Sequence, residues 1–112
     1  LYSYVQPSTV LVQALVQAGT QGIVFAGTGA GLVSTAERAA VKPLLDLPAA
    51  TRPVLVRSNR TGNGRVVALA EYDALGMIPA DTLTPQKARV LLMLALTKTR
   101  DQAEIRRIFA EY

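Results

Sequence analysis

The stretch GIVFAGTGAGLVS, residues 22–34, joins a short apolar run to a loop with glycine at positions 27, 29 and 31. An uninterrupted apolar run of this length is typical of a parallel β-strand that is buried on both faces. Ser34 and Glu37 fit the S-x-x-E capping box, which predicts that a helix begins directly after the loop. In parallel sheets such loops lie at the carboxyl ends of the strands, where ligands bind.

The glycine loop only partly matches the loops that hold nucleotide phosphates. A dinucleotide-binding fingerprint reads G-x-G-x-x-G, but its third glycine position falls on Leu32 counted from Gly27 and on Ser34 counted from Gly29. No Gly-Lys-Ser or Gly-Lys-Thr follows, which excludes a P-loop, and the next predicted strand ends in Arg57 rather than an acidic residue. The local sequence therefore favours a tight strand-to-helix turn, and a nucleotide-binding α/β module remains an alternative.

Strands and helices alternate along the rest of the chain. Apolar runs predict strands at residues 1–5, 22–26, 54–57 and 76–80, and helical spacing of apolar residues predicts helices at 9–18, 34–47, 86–97 and from 101 onward. The irregular stretch 59–76 predicts a long loop, which is either functional or disordered. The alternation predicts one α/β domain over residues 1–112, with three layers, α/β/α, around a small, about four-stranded, mainly parallel sheet of the flavodoxin or Rossmann-like type.

Several residues predict where the helices end and how they are buried. Gly19 occupies the position of a C-terminal cap glycine, and Pro43 predicts a kink or a stop near Lys42. Thr84, followed by a proline, is typical of a helix start. The helix at 86–97 is apolar on nearly all sides, so we expect it to be buried all round. The last helix, from Asp101, has an apolar stripe of Ile105, Ile108, Phe109 and Tyr112.

The composition excludes several kinds of chemistry. The 112 residues include no cysteine and no histidine, which excludes disulfides, zinc sites of Cys and His, and Cys- or His-based catalysis within this chain. The net charge of +4 is dispersed, so we expect no nucleic-acid partner. No apolar stretch reaches the roughly 18 residues that a membrane span needs. The sequence begins at Leu1 inside a predicted strand, and we expect it to be a fragment.

The segment TLTPQKARVLLMLALTKTRD, residues 82–101, resembles the C-terminal helix of bacterial type II L-asparaginases, whose pattern there is T/D-L-N-P-Q-K-A-R before an apolar run and L-A-L-T. Thr84 replaces the family's asparagine, which exchanges one helix N-cap residue for another. Further stretches resemble the family in the same order along the chain: GIVFAGTGAG at 22–31, PVLVRSNRTGNGRV at 53–66 and AEYDALGMIPADTL at 70–83. The resemblance is collinear and covers nearly the whole chain.

The resemblance implies that the chain is the C-terminal domain of an asparaginase, an amidohydrolase that converts asparagine, and often glutamine, to the acid and ammonia. In this family the nucleophilic threonine and its Thr-Lys-Asp partners lie on the N-terminal domain, so we expect no catalytic residue here and no activity of the isolated domain. The C-terminal domain completes the active site of a neighbouring subunit in an intimate dimer, and two dimers form a tetramer. The family uses no metal or organic cofactor. The location is either the periplasm or the cytoplasm of a bacterium, and the resemblance to type II members slightly favours the periplasm.

The resemblance also implies a substrate-binding site that this domain shares with its neighbour. Glu71 matches the family glutamate that contacts the substrate's α-amino group, a role that suits a carboxylate facing an ammonium in a closed pocket. Leu32 stands where the family has the last asparagine of its G-N-G-N loop, and leucine neither donates nor accepts a hydrogen bond. The candidate loop contacts are Thr28, Gly29, Gly31 and Leu32.

The leucine leaves several interpretations open. In one interpretation, Thr28 or Ser34 supplies the hydrogen bond in place of the missing amide. In another, the substrate specificity differs from that of typical asparaginases. In a third, the domain belongs to an asparaginase-like protein with reduced or lost activity. A related alternative is the asparaginase-like subunit of a tRNA-dependent amidotransferase. On the amidohydrolase interpretation, the glycine loop is a turn at a subunit interface, because glycine lets the backbone approach a neighbour's pocket closely.

Overall fold

A computed structural model describes residues 10–27, 35–48, 52–59, 65–67 and 69–111 of the chain. Within these ranges, three parallel strands form a sheet in the order β1 (Gly22–Gly27), β2 (Val54–Asn59) and β3 (Met77–Pro79). The register runs from Gly22↔Val54 to Gly27↔Asn59 and from Leu55↔Met77 to Arg57↔Pro79. The predicted parallel sheet is confirmed for these strands, and the strand predicted at 1–5 lies outside the described residues.

Helices cover the sheet. The described residues form α1 (Val10–Gln17), α2 (Thr35–Val41) with a 3₁₀ helix after it (Lys42–Asp46), α3 (Ala70–Asp73), α4 (Pro85–Leu96) and α5 (Gln102–Glu111). Of these, α1, α2, α4 and α5 correspond to the predicted helices. Helix α3 lies inside the stretch 59–76, which the sequence predicts to be irregular, so that prediction is wrong for residues 70–73. This helix has only four residues and no side-chain cap. None of the helices described here is long and apolar enough to cross a membrane.

Apolar side chains on both faces of the sheet give the domain three layers, as predicted. All three strands pack against α4 and α5 on one face, with Val24 of β1 only partly buried there, and against α1, α2 and α3 on the other. Each large apolar side chain that is fully removed from water contributes about 1.5–3 kcal/mol. The buried members are Val54, Val56, Ile78, Ala80, Ala88, Leu92, Ala95, Ile105 and Phe109 on the first face, and Val12, Ile23, Phe25, Val41, Leu55, Tyr72 and Met77 on the second.

A glycine ends α1, as the sequence predicts. Gly19 has a φ of +77°, in the left-handed region that glycine adopts without a steric cost. Its N–H donates to the carbonyl of Val16 at 3.1 Å, and the N–H of Thr20 donates to the carbonyl of Leu15 at 3.2 Å. These two bonds form a Schellman motif, which satisfies carbonyls at the end of the helix.

A proline ends α2. The helix stops at Val41, and the 3₁₀ helix that follows has Pro43 in its first turn. Because proline has no N–H to continue the α-helical ladder, the stop predicted near Lys42 is confirmed. The helix begins at Thr35, directly after the predicted cap Ser34, and the predicted capping bonds of Ser34 and Glu37 lie outside the described residues.

Helix α4 begins as predicted but is less buried than predicted. The Thr84 hydroxyl accepts a hydrogen bond of 3.3 Å from the Lys87 N–H, which caps the helix. Val90, Met93 and Leu94 are 53%, 54% and 60% exposed. The prediction of a helix buried all round is therefore wrong for this chain, because α4 is an outer layer with the sheet on one side only.

Helix α5 follows the predicted pattern. The Asp101 carboxylate accepts a hydrogen bond of 3.1 Å from the Ala103 N–H, which caps the first turn. Ile105 and Phe109 are buried and Ile108 is half-buried, which confirms the apolar stripe for these three residues. Tyr112, the last member of the predicted stripe, lies outside the described residues.

Candidate functional site

The carboxyl ends of β1 and β2 lie side by side. Gly27 and Asn59, the last residues of the two strands, are partners in the sheet register. The glycine loop leaves from Gly27 and the irregular loop leaves from Asn59, so both start at the same edge of the sheet, as the sequence predicts. The candidate loop residues Thr28, Gly29, Gly31, Leu32 and Ser34 lie outside the described residues.

Glu71 lies in the first turn of α3, the short helix inside the stretch 59–76. Its side chain is 57% exposed, and its Oε2 accepts a hydrogen bond of 3.0 Å from Nη1 of Arg38 on α2. The two residues are 33 positions apart in the sequence, so the fold brings them together. Glu71 therefore presents a carboxylate at the surface of the described part of the domain, with one oxygen engaged by a guanidinium.

The neighbouring residue Tyr72 anchors α3 to the sheet. Its ring is almost completely buried and belongs to the cluster beneath α1, α2 and α3. Two guanidinium groups lie over the ring: the central carbon of Arg57 is 4.4 Å from the ring centroid, and that of Arg38 is 5.5 Å from it. Both distances are within the range in which a cation is attracted to an aromatic ring. The same arginine that binds Glu71 thus also contacts the residue after it.

Arg57 is a buried cation at the carboxyl end of β2. The residue has no exposed surface, and its Nη2 donates a hydrogen bond to the carbonyl of Val67. Burial lowers the pKa of the Arg57 guanidinium from its ordinary value, and the nearby Tyr72, Asp73 and Glu71 act in the opposite direction. Arg57 therefore joins the strand, the segment before α3 and α3 itself.

A second ion pair holds the other side of α3. Nη1 of Arg106 on α5 lies 3.3 Å from Oδ1 of Asp73, and Nη2 of the same arginine donates to the carbonyl of Met77 at 3.2 Å. Arg38 on α2 and Arg106 on α5 thus bind the two carboxylates of a four-residue helix. Since so short a helix is marginal by itself, these contacts and the burial of Tyr72 fix its position.

Thr97 and Thr99 flank Lys98 and place two hydroxyl groups beside an amine in the sequence. The hydroxyls beside Lys98 are used at helix ends: Thr97 Oγ1 donates to the Leu94 carbonyl at 2.6 Å, and Thr99 Oγ1 accepts from the Asp101 N–H at 3.0 Å. Among the residues that the structure describes, no group of three or more acidic side chains could hold a metal ion. The chemistry available at Glu71 is therefore charge-assisted hydrogen bonding to a cation.

A groove of about 610 Å³ lies elsewhere on the domain, between α1, β1 and α4. Its lining is mainly apolar and includes Leu15, Leu92, Met93 and Leu96, whereas Glu71 is not part of it.

The sequence pattern of the family described as Glutaminase/Asparaginase C-terminal domain matches residues 1–109. The chain belongs to this family. The resemblance that the four quoted stretches carry is thereby confirmed, and this asparaginase C-terminal domain has the α/β architecture that the resemblance implies.

Similar proteins agree with this membership. L-asparaginase 2 of Bacillus subtilis (strain 168) is 44% identical over 113 residues, which cover all of this chain and 29% of that protein. L-asparaginase 2 of Escherichia coli (strain K12) is 42% identical over all of this chain and 32% of that protein. The glutaminase-asparaginase of Pseudomonas fluorescens biotype A is 41% identical over 99% of this chain and 30% of that protein. This asparaginase C-terminal domain thus spans about a third of the length of these relatives.

A solved structure shows the same fold. The probable cytoplasmic L-asparaginase from Campylobacter jejuni is 43% identical to this asparaginase C-terminal domain and superposes with a TM-score of 0.88. The match covers all of this chain and 34% of that one. The architecture described above is therefore that of a domain within a longer asparaginase chain.

Sequence reasoning missed the partners of Glu71 in this asparaginase C-terminal domain. Arg38 lies within a predicted helix and carries no local sign of an ion pair 33 positions away. Arg57 was a possible clue, because a cation in an otherwise apolar strand needs an explanation, but only the structure shows the Tyr72 ring beside it.

Proposed function

We propose that this domain belongs to an enzyme that hydrolyses the side-chain amide of L-asparagine, with L-glutamine as a second substrate, to the acid and ammonia. The observation that carries the proposal is the collinear match of the whole chain to relatives named L-asparaginase 2 and glutaminase-asparaginase at 41–44% identity. This match favours an amidohydrolase over a nucleotide-binding module, which rests on an incomplete glycine pattern.

In this proposal Glu71 binds the substrate's α-ammonium group across a subunit interface. The Glu71 carboxylate is exposed in the single chain, as a group must be if a neighbour completes its pocket. Its oxygen Oε2 is bound by Arg38, and Oε1 accepts no hydrogen bond from the described residues. Once a second surface excludes water, a charge-assisted bond between this carboxylate and an ammonium is strong.

The nucleophile and its base come from the other part of the enzyme. The chain has no histidine and no cysteine, and the hydroxyls of Thr97 and Thr99 take part in helix-end hydrogen bonds. The relatives are about three times longer than this chain, which leaves room for a catalytic domain before it. We assign the threonine nucleophile of the family to that domain, and we assign no metal or organic cofactor to the reaction.

The assembly in this proposal is a homotetramer built from two intimate dimers. The exposed face of α4 formed by Val90, Met93 and Leu94 supports a further protein contact, because clustered apolar side chains at a surface commonly mark an interface. The proposed partners are therefore the N-terminal domain, further copies of the subunit and the small amino-acid amide, with no nucleic acid or membrane.

Ammonia release by the full-length enzyme tests the proposed function. We expect turnover of L-asparagine, and of L-glutamine at a rate to be measured, while residues 1–112 alone at the same concentration stay at the buffer baseline. A full-length enzyme that releases no ammonia from either amide contradicts the proposal. Turnover by the isolated chain that persists after repurification would contradict the assignment of the nucleophile to another domain.

A further inference from the structure

The bond between Arg38 and Glu71 joins two helices that follow the two loops at the carboxyl edge of the sheet. Arg38 lies on α2, after the glycine loop, and Glu71 lies on α3, inside the stretch 59–76 that follows β2. The contact of 3.0 Å uses Oε2 of the carboxylate. One oxygen of Glu71 thus binds Arg38, and the other accepts no hydrogen bond from the residues that the structure describes, so it can accept one from a ligand.

Arg38 contacts the buried part of the domain as well as Glu71. Its side chain is 31% exposed, and its guanidinium lies 5.5 Å from the centroid of the buried Tyr72 ring. The Tyr72 ring is in turn fixed by the buried Arg57 at 4.4 Å. Arg107 on α5 is 52% exposed and binds Glu104 and Glu111 of its own helix, so it can serve as a control arginine at a different place on the domain. The stack of Arg57, Tyr72 and Arg38 can therefore fix the direction of the Glu71 carboxylate.

We propose that Arg38 is a positioning residue for substrate binding, which holds Glu71 so that Oε1 meets the α-ammonium group of the amino-acid amide. This inference rests on the proposed function of Glu71. The physical reason is that a glutamate side chain loses rotamer freedom when it binds a ligand, and a carboxylate already fixed by Arg38 loses less. The substrate and Arg38 then share the carboxylate, each with one oxygen.

The alternative role for Arg38 is to compete with the substrate's ammonium for the Glu71 carboxylate. If Arg38 had to leave Glu71 before the ammonium could bind, its removal would strengthen substrate binding. Positioning and competition therefore predict changes of opposite sign in KM, which makes the inference testable by one substitution.

The experiment is a double-mutant cycle in the full-length enzyme, with kcat and KM for L-asparagine and the melting temperature measured for each variant. The variants are Arg38→Gln, Arg38→Lys, Glu71→Gln, the Arg38→Gln/Glu71→Gln double variant and, as a matched control, Arg107→Gln. We expect Arg38→Gln to raise KM about three- to tenfold with kcat within about twofold. Arg38→Lys should recover part of the loss, since lysine keeps the charge but not the planar guanidinium. Arg107→Gln should change neither constant.

The cycle separates the inference from the function on which it rests. We expect Arg38→Gln to add no further increase in KM once Glu71 is glutamine, because Arg38 acts through that carboxylate. A lower KM for Arg38→Gln, an unchanged KM, or an increase of equal size in both backgrounds overturns the inference and leaves the role of Glu71 intact. An unchanged KM for Glu71→Gln overturns the proposed role of Glu71, and the inference with it.

Discussion

The guanidinium of Arg57 lies 4.4 Å from the centre of the Tyr72 ring, and both residues are almost completely removed from solvent. A charged group without exposed surface must find partners inside the protein, because transfer out of water is costly. Here the partners include the ring face and the carbonyl of Val67. This contact makes the short helix α3, and with it Glu71, a fixed part of the domain.

Replacement of Arg57 by methionine should destabilise the protein. The Val67 carbonyl would lose its donor, at a cost of about 1–3 kcal/mol, and the ring would lose its cation, although the cost of burying a charge would also disappear. We expect a net loss of about 2 kcal/mol in the free energy of unfolding, measured by thermal or urea unfolding of the full-length enzyme. The matched control is Arg107→Met at an exposed arginine, which loses only exposed ion pairs and should therefore lose clearly less stability than Arg57→Met. Equal stability of the two variants would contradict this account of Arg57.

The contribution of Asp81 to the free energy of unfolding should depend on its backbone conformation and on the pH. Its φ is +57°, and its carboxylate accepts two hydrogen bonds from Arg65, at 2.6 and 3.2 Å. Asp81→Asn, which tolerates the left-handed region, should cost about 0.5 kcal/mol through loss of the exposed ion pair. Asp81→Ala should cost roughly 1 kcal/mol more, because alanine is strained there. An alanine variant as stable as the asparagine variant would show that the backbone strain is absent.

The difference in stability between the wild type and Asp81→Asn should change with pH in one direction. The hydrogen bonds from Arg65 hold the pKa of Asp81 below its ordinary value. A carboxyl with a depressed pKa in the folded state stabilises the protein above its ordinary pKa of about 4, and the contribution is lost as the pH falls through the lower, folded-state pKa. The stability difference between the wild type and Asp81→Asn, measured by thermal unfolding, should therefore be present at pH 7 and shrink below about pH 4. A difference that grows on acidification would contradict the ion pair.

Local sequence rules predicted the parts of the fold that depend on a few neighbouring residues. Gly19 ends α1 because glycine adopts a positive φ, and Thr84 starts α4 because its hydroxyl accepts a backbone N–H. The alternation of strands and helices along the chain predicted the three layers of the domain, a parallel sheet with helices on both faces. Helix α3 could not be predicted from its own four residues, because its position depends on the burial of Tyr72 and on ion pairs with the distant Arg38 and Arg106.

Burial and ion pairing depend on which elements meet, so they were less predictable. The sequence of α4 is apolar on nearly all sides, so it could not show that the outer face of this helix is exposed in this domain. The sequence resemblance singled out Glu71, but nothing within the chain's local pattern pairs it with Arg38, 33 residues earlier. The candidate loop at 28–32 stays a prediction, because it lies outside the described residues.

The outer face of α4 should contribute to the stability of the assembled enzyme. Leu94 is 60% exposed in the single chain, next to the exposed Val90 and Met93. If the rest of the enzyme covers this face, Leu94→Gln removes apolar contacts and should lower the melting temperature of the full-length protein by several degrees, for a loss of about 1–3 kcal/mol. Lys87→Gln, an exposed change on the same helix, serves as the control and should have little effect. A melting temperature that Leu94→Gln leaves unchanged would mean that the face is solvated in the enzyme.

Leu32 should limit activity relative to asparaginases that carry an asparagine in this loop. An apolar side chain at this position removes a hydrogen bond, with a cost of about 1–3 kcal/mol if polar groups of the neighbouring subunit are left unpaired. Leu32→Asn should therefore raise kcat/KM for L-asparagine roughly tenfold. Both kcat/KM and the melting temperature are measured on the full-length variant. A lower melting temperature without a gain in turnover of either amide would show that Leu32 is a packing residue.

The central claim is that Glu71 binds the substrate's α-ammonium, and the most direct test compares two substrates in the full-length enzyme with Glu71→Ala. L-asparagine carries the ammonium, and succinamic acid is the same amide without it. We predict that the substitution lowers kcat/KM for L-asparagine by about 30-fold or more, from the roughly 2–5 kcal/mol lost when one partner of a buried charge pair is removed. It should leave kcat/KM for succinamic acid nearly unchanged, with the melting temperature within a few degrees of the wild type. A variant that keeps wild-type kcat/KM for L-asparagine, or that loses both substrates equally, would contradict the claim.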